Sequence, residues 1–86
     1  MVSAGPATAD QAQDDQYLSA LQQIYPGRNS SPAANIGNAH KICGHLGRGD
    51  SFDAVVNDLH EANMKHSYSL DQVQQEVRLA QSTYCP

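Results

Sequence analysis

The apolar residues of this chain recur at steps of three and four, the spacing of one face of an α-helix. The clearest run closes the sequence, in residues 69–86, and its apolar positions are Leu70, Val73, Val77, Ala80 and Tyr84. Ser69 comes before the run and Gln72 three residues later, which is the pattern of a capping box. Pro86 prevents the helix from continuing. We therefore predict a final helix with a defined start, a buried face and a defined end.

Three similar stripes precede the final one. The first helix begins at Asp10 and ends at Tyr25-Pro26-Gly27, because a residue before proline avoids the α region. The second follows Ser31, and the third follows Asp50 or Ser51, all of which are good N-cap residues. The apolar positions are Tyr17, Leu18, Leu21 and Ile24; then Ile36, Ala39, His40, Cys43 and Leu46; then Phe52, Val55, Val56 and Leu59. No strand-like alternation occurs, so we predict an all-α bundle of about four short helices.

The chain has 86 residues, which suits a single domain. We place one helical domain at residues 10–86 and a disordered tail at residues 1–9, which have nothing to bury. Within the tail, Ala7-Thr8-Ala9 fits the small-x-small pattern that a signal peptidase accepts. We interpret the tail as a remnant of a signal-cleavage region, and the alternative is an ordinary flexible terminus.

In a chain of this length the core must be built from Leu, Val, Ile and Ala, because aromatic residues make up 6% of the chain and no tryptophan occurs. A single core of this size gives only a few kcal/mol of net stability, so we expect an added restraint. The two cysteines can supply it. Cys43 lies on the apolar face of the second helix and Cys85 ends the fourth. We predict that they form a disulfide, which favours an oxidising compartment; the alternative is two buried free thiols.

The charge pattern argues against several partners. The formal net charge is −4 and the five basic residues are dispersed. Binding to nucleic acid or to an anionic membrane surface needs clustered Lys and Arg, so we predict neither. No apolar run approaches the roughly 20 residues that cross a bilayer, so we predict no transmembrane segment.

Three segments resemble a known family: residues 14–21 (DDQYLSAL), 43–49 (CGHLGRG) and 80–86 (AQSTYCP). The chain resembles the actinobacterial, chiefly mycobacterial, exported family catalogued as domain of unknown function 732. Many members look secreted or membrane-anchored, so the resemblance implies a secreted or cell-envelope location. Tyr25-Pro26-Gly27 departs from the glycine and apolar residue expected there. The family brings no assigned activity, and therefore no catalytic residues.

The remaining chemistry is sparse. His40, Cys43 and His45 are candidate metal ligands, but the closed zinc patterns are absent and an oxidised Cys43 cannot ligate, so we predict no metal site. No nucleophile elbow, phosphate loop or paired carboxylates occur, and we predict that the protein is not an enzyme. Four tyrosines and four histidines leave a carrier of haem or of a lipid-like ligand as an alternative.

One surface motif suggests a further alternative. Arg48-Gly49-Asp50 is the tripeptide that integrins recognise when its Arg and Asp splay from an exposed turn, and it falls in the loop between the second and third helices. Glycine after a helix and Asp before the next are also what the fold itself requires. Our leading hypothesis is an exported, non-catalytic module that binds a protein partner or a cell-envelope component, or builds the envelope; host-cell adhesion is an alternative.

Overall fold

The computed structural model describes residues 4–85, and the regular secondary structure within them is entirely helical. The α-helices are α1 (Ala4–Ile24), α2 (Pro32–Gly47), α3 (Phe52–Ala62) and α4 (Leu70–Tyr84). A short 3-10 turn, Met64–His66, lies between α3 and α4. No strand occurs among the described residues. The all-α prediction is confirmed.

A serine caps each of the last three helices. Ser31 Oγ accepts a hydrogen bond from Ala34 N, and Ser51 Oγ accepts one from Ala54 N, each at 3.1 Å. Ser69 forms the full capping box, because Gln72 N donates to Ser69 Oγ while Gln72 Oε1 accepts from Ser69 N. These contacts satisfy amide groups that have no partner within the first helical turn. The structure thus selects Ser51 over Asp50 as the cap of α3.

Helix α1 begins at Ala4, earlier than the predicted start at Asp10. Alanine has the highest helix propensity, and Pro6 falls in the first turn, where proline is tolerated. Of the predicted tail, residues 1–3 lie outside the described residues. The interpretation of residues 1–9 as a signal-cleavage remnant stays a prediction.

Helix α4 is the centre of the bundle, because it contacts α1, α2 and α3. Val73, Val77 and Ala80 on α4 are fully buried. The core around them contains Tyr17, Leu21, Tyr25, Ala39, Ile42, Val55 and Val56. The buried residues of α4 therefore pack against all three of the other α-helices.

Several positions differ from the predicted stripes. Leu70, in the first turn of α4, is 45% exposed, and His40 is exposed at the edge of the α2 stripe. Tyr25 and Glu76 are each 2% exposed, although neither was among the predicted buried positions. A hydrogen bond between the two side chains offsets the cost of burying their polar groups.

Cys43 and Cys85 form a disulfide, as predicted, with their Cα atoms 5.5 Å apart. This separation is within the ordinary range for the bond. The bond joins the C-terminal half of α2 to the residue that follows α4. No helix among residues 4–85 is both long enough and apolar enough to cross a membrane.

Candidate functional site

The end of α4 is held by a group of contacts that we call the C-terminal clasp: the Cys43–Cys85 disulfide with Asp14, Tyr17 and Tyr84. The Tyr84 hydroxyl donates a hydrogen bond to Asp14 Oδ1. The Tyr84 ring packs against Tyr17, with the ring centroids 5.4 Å apart. The clasp therefore ties the last turn of α4 to both α1 and α2.

The clasp offers little chemistry. The cysteine sulfurs are bonded to each other and cannot act as metal ligands or nucleophiles. The His40 ring packs on Tyr84, with the centroids 4.6 Å apart, while His45 contacts Asp50 in the next loop. Among the described residues, no group of three or more His, Cys, Asp or Glu side chains could hold a metal ion. The structure does not bring His40, Cys43 and His45 together as a ligand set.

A second polar cluster lies inside the bundle, and we call Tyr25, Arg28 and Glu76 the buried polar centre. The Tyr25 hydroxyl donates to Glu76 Oε1 at 2.7 Å. Arg28 Nη1 is 3.7 Å from the same oxygen, and its side chain is only 12% exposed. The guanidinium lies over the Tyr25 ring, 4.5 Å from its centroid, and 5.5 Å from that of Tyr68. The buried carboxylate thus has a hydrogen-bond donor and a nearby cation, as a buried charge requires.

Two core tyrosines are held in the protonated state. Burial raises the pKa of Tyr25 above its ordinary value, and the hydrogen bond to Glu76 raises it further. Burial also raises the pKa of Tyr17, with added repulsion from Glu76 and Tyr84. A phenol with a raised pKa is a weak acid and cannot serve as a base near neutral pH. These groups hold the core together and are poorly suited to proton transfer.

The Arg48-Gly49-Asp50 loop is closed on itself. Arg48 Nε donates to Asp50 Oδ2 at 3.1 Å, and His45 Nδ1 lies 3.1 Å from the same oxygen. Gly49 makes this turn possible with a φ of +104°, which favours glycine. Integrin binding needs the Arg and Asp side chains to splay apart, so it would first have to break the Arg48–Asp50 contact. Adhesion stays a prediction.

An apolar depression of about 180 Å³ lies between α2 and α3, and we call it the α2–α3 groove. Ile42 and Val55 form its buried floor together with the half-buried Leu59. Lys41 stands on the α2 wall and Asp58 on the α3 wall, and both are exposed. The groove opens to solvent, and its surface is mainly apolar. An exposed apolar depression flanked by polar groups is the usual form of a binding site.

The sequence model of one family, described as "Protein of unknown function (DUF732)", matches residues 9–86. The chain belongs to this family. Neither the comparison with curated proteins nor the comparison with solved structures finds a match. The description of DUF732 assigns no activity, so no functional residue is carried over from it.

The segments through which the chain resembles DUF732 meet at the C-terminal clasp. Asp14 and Tyr17 come from the first segment, Cys43 from the second, and Tyr84 and Cys85 from the third. Their contacts hold helices together. These segments of the DUF732 chain therefore have a structural explanation that needs no ligand.

Sequence reasoning missed Glu76, Arg28 and the charged walls of the groove. Glu76 lies between the apolar positions Val73 and Val77, so its place on the α4 stripe was a weak signal of burial. Lys41 and Asp58 look like ordinary surface charges in the sequence. Only the packing of α2 against α3 shows that they face the same depression.

Proposed function

We propose that this DUF732 domain is a non-catalytic interaction module that acts outside the cytoplasm, as a secreted or cell-envelope protein, and binds its partner through the α2–α3 groove. The groove is the observation that carries the proposal. It exposes an apolar floor between two helices and has one charged side chain on each wall. Such a surface suits a protein partner that covers the floor with its own apolar side chains.

The extracytoplasmic location is supported by the disulfide. Disulfides form and persist in oxidising compartments, whereas the cytosol keeps thiols reduced. Cys43 and Cys85 lie at bonding distance, and no free cysteine occurs among the described residues. A bond of this kind suits a small domain that must keep its shape outside the cell.

The non-catalytic role is supported by the way the polar side chains are used. Glu76 and Tyr25 bond to each other inside the core, and Asp50 is taken up by Arg48 and His45. The floor of the groove, in contrast, consists of aliphatic side chains that carry no nucleophile, acid or base. We propose that the groove binds and does not convert its partner.

Photocrosslinking from defined positions tests the proposal in cells that produce the protein naturally. A crosslinking residue at Asn38, which lines the groove, should give a discrete adduct in the extracytoplasmic fraction. The same residue at Asn57, exposed on α3 outside the groove lining, is the matched control. Leu59→Glu should abolish the adduct formed from Asn38, because it places a charge on the groove floor.

Three results would overturn the proposal. Equal crosslinking from Asn38 and Asn57 would remove the groove as the binding surface. Recovery of the native protein from the cytosol with two free thiols would remove the extracytoplasmic role. If the protein converted a substrate at a rate that Leu59→Glu left unchanged, its function would be catalysis at another part of the domain and not binding at the groove.

A further inference from the structure

Two exposed charges of opposite sign lie on the walls of the α2–α3 groove. Lys41 stands on α2 and Asp58 on α3, and both side chains are exposed. Neither makes an ion pair or a side-chain hydrogen bond with the residues that the structure describes. They line the same depression without neutralising each other. The groove therefore presents one positive and one negative wall on either side of an apolar floor.

This arrangement is self-complementary. A two-fold axis that runs along the groove places α2 of one copy over α3 of the other. The operation sets the α2 wall of each copy, which carries Lys41, opposite the α3 wall of its mate, which carries Asp58, and lays one apolar floor on the other. Two-fold dimers are the commonest protein oligomers, and their interfaces require a patch that matches itself. A partner with a single sign of charge would match only one wall.

We propose that the occupant of the α2–α3 groove is a second copy of this chain, held by an apolar contact between the floors and by two symmetric Lys41–Asp58 ion pairs. The inference rests on the proposed binding role of the groove and names the partner. The floor includes Ile42, Val55 and Leu59, which are the side chains that the second copy covers. Helices α2 and α3 of the two copies would then form a four-helix layer around the groove.

The dimer should be weak and sensitive to salt. The groove is a small part of the surface, and interfaces below about 1,200 Å² belong to transient complexes. We expect a dissociation constant on the order of 100 µM in low salt. Exposed ion pairs are screened at high ionic strength, so association should weaken as sodium chloride is added.

Sedimentation of the oxidised full-length chain over a range of concentrations measures the association, and charge reversal tests its geometry. Lys41→Glu places two like-charged pairs across the interface, and so does Asp58→Lys. Each variant should raise the dissociation constant about tenfold or more. Asp53→Lys is the matched control, because Asp53 is exposed on α3 outside the groove lining and should leave the constant unchanged.

Mixing the two single variants gives the decisive measurement. A heterodimer of the Lys41→Glu chain with the Asp58→Lys chain has one reversed and one native ion pair, and both are attractive. The mixture should therefore associate at concentrations at which each variant alone is mainly monomeric. The Lys41→Glu/Asp58→Lys chain should likewise recover dimerisation. Thermal melting by circular dichroism confirms that each variant is folded.

A monomer at 1 mM (roughly tenfold above the expected constant) would overturn the inference. So would a dimer that the single reversals leave intact, or a mixture that fails to associate while both variants are folded. These outcomes differ from failure of the proposed function. If the chain stays monomeric while the groove still crosslinks a different protein from Asn38, the binding role stands and the second copy is excluded.

Discussion

The hydroxyl of Tyr25 donates a hydrogen bond to Oε1 of Glu76 at 2.7 Å, and the two residues are 51 positions apart in the sequence. The bond joins the end of α1 to the buried face of α4. Gln72 strengthens the same junction, because its Nε2 donates to the carbonyl oxygen of Ile24 at 2.9 Å. The Glu76 carboxylate can reach the Tyr25 hydroxyl at only one position of α4 along α1. The bond therefore fixes the alignment of the two helices.

We expect Tyr25→Phe to lower the free energy of unfolding by about 1–3 kcal/mol. The substitution keeps the ring in the core and removes only the hydroxyl, so the Glu76 carboxylate loses a hydrogen bond inside the protein. Urea denaturation followed by circular dichroism measures the change.

Tyr68→Phe is the control for this measurement. The Tyr68 ring contacts Tyr25, with the centroids 4.5 Å apart, but its hydroxyl makes no hydrogen bond among the described residues. We therefore expect a change within about 0.5 kcal/mol. Equal effects of the two substitutions would show that the bond to Glu76 does not stabilise the fold.

The elements that could be predicted from sequence are those governed by local rules. Ser31, Ser51 and Ser69 cap helices because their hydroxyls reach nearby amide groups, and both partners lie within one turn. The apolar spacing of α4 marked Val73, Val77 and Ala80 as its buried face. The disulfide followed from the presence of only two cysteines in a chain too short for a large core.

The features that could not be predicted depend on packing between distant segments. Glu76 is acidic and was not expected in the core. It is buried because Tyr25 and Arg28 approach it from the segment that follows α1. The α2–α3 groove likewise requires knowledge of the distance between two helices. Side-chain periodicity states which face is apolar, but it does not state how completely a neighbour covers that face.

The stability of the domain should fall in alkaline solution, because Tyr17 and Tyr25 have pKa values raised above the ordinary value in the folded state. In the unfolded chain a tyrosine ionises near pH 10. The contribution of these two tyrosines to the free energy of unfolding is therefore complete below about pH 10 and is lost as the pH rises further. The loss is about 1.4 kcal/mol per pH unit for each residue. Unfolding free energies measured between neutral and alkaline pH test this slope.

Absorbance at 295 nm provides a second readout of the same effect. We expect at least two of the four tyrosines to ionise only when the protein unfolds. Tyr25→Phe should make the alkaline slope shallower because one of the two groups is gone. A slope that Tyr25→Phe leaves unchanged would contradict the assignment.

Removal of the disulfide should lower stability substantially. Cys43 and Cys85 are separated by 42 residues, and the chain-entropy model gives about 4 kcal/mol for a loop of this length. We expect Cys43→Ala/Cys85→Ala to lower the unfolding free energy by an amount of that order, as measured by denaturation without reductant. Reduction of the native protein should lower it similarly. An unchanged melting curve would show that the other contacts of the clasp suffice.

The loop that contains Arg48-Gly49-Asp50 gives the last prediction. The hydrogen bond with His45 holds the pKa of Asp50 below its ordinary value, and the one with Arg48 lowers it further. Since the folded value is depressed, the contribution of Asp50 to stability is present above the unfolded pKa and is lost as the pH falls through the folded value. His45→Ala or Arg48→Ala should raise the pKa of Asp50 toward that of an unpaired carboxyl, which carbon NMR of the side chain measures.

The contact with Arg48 also holds the two ends of the tripeptide together. An Asp50 pKa that neither substitution moves would therefore mean that the loop is open in solution. The Arg and Asp side chains would then be free to splay, and the adhesion hypothesis would regain the geometry it needs.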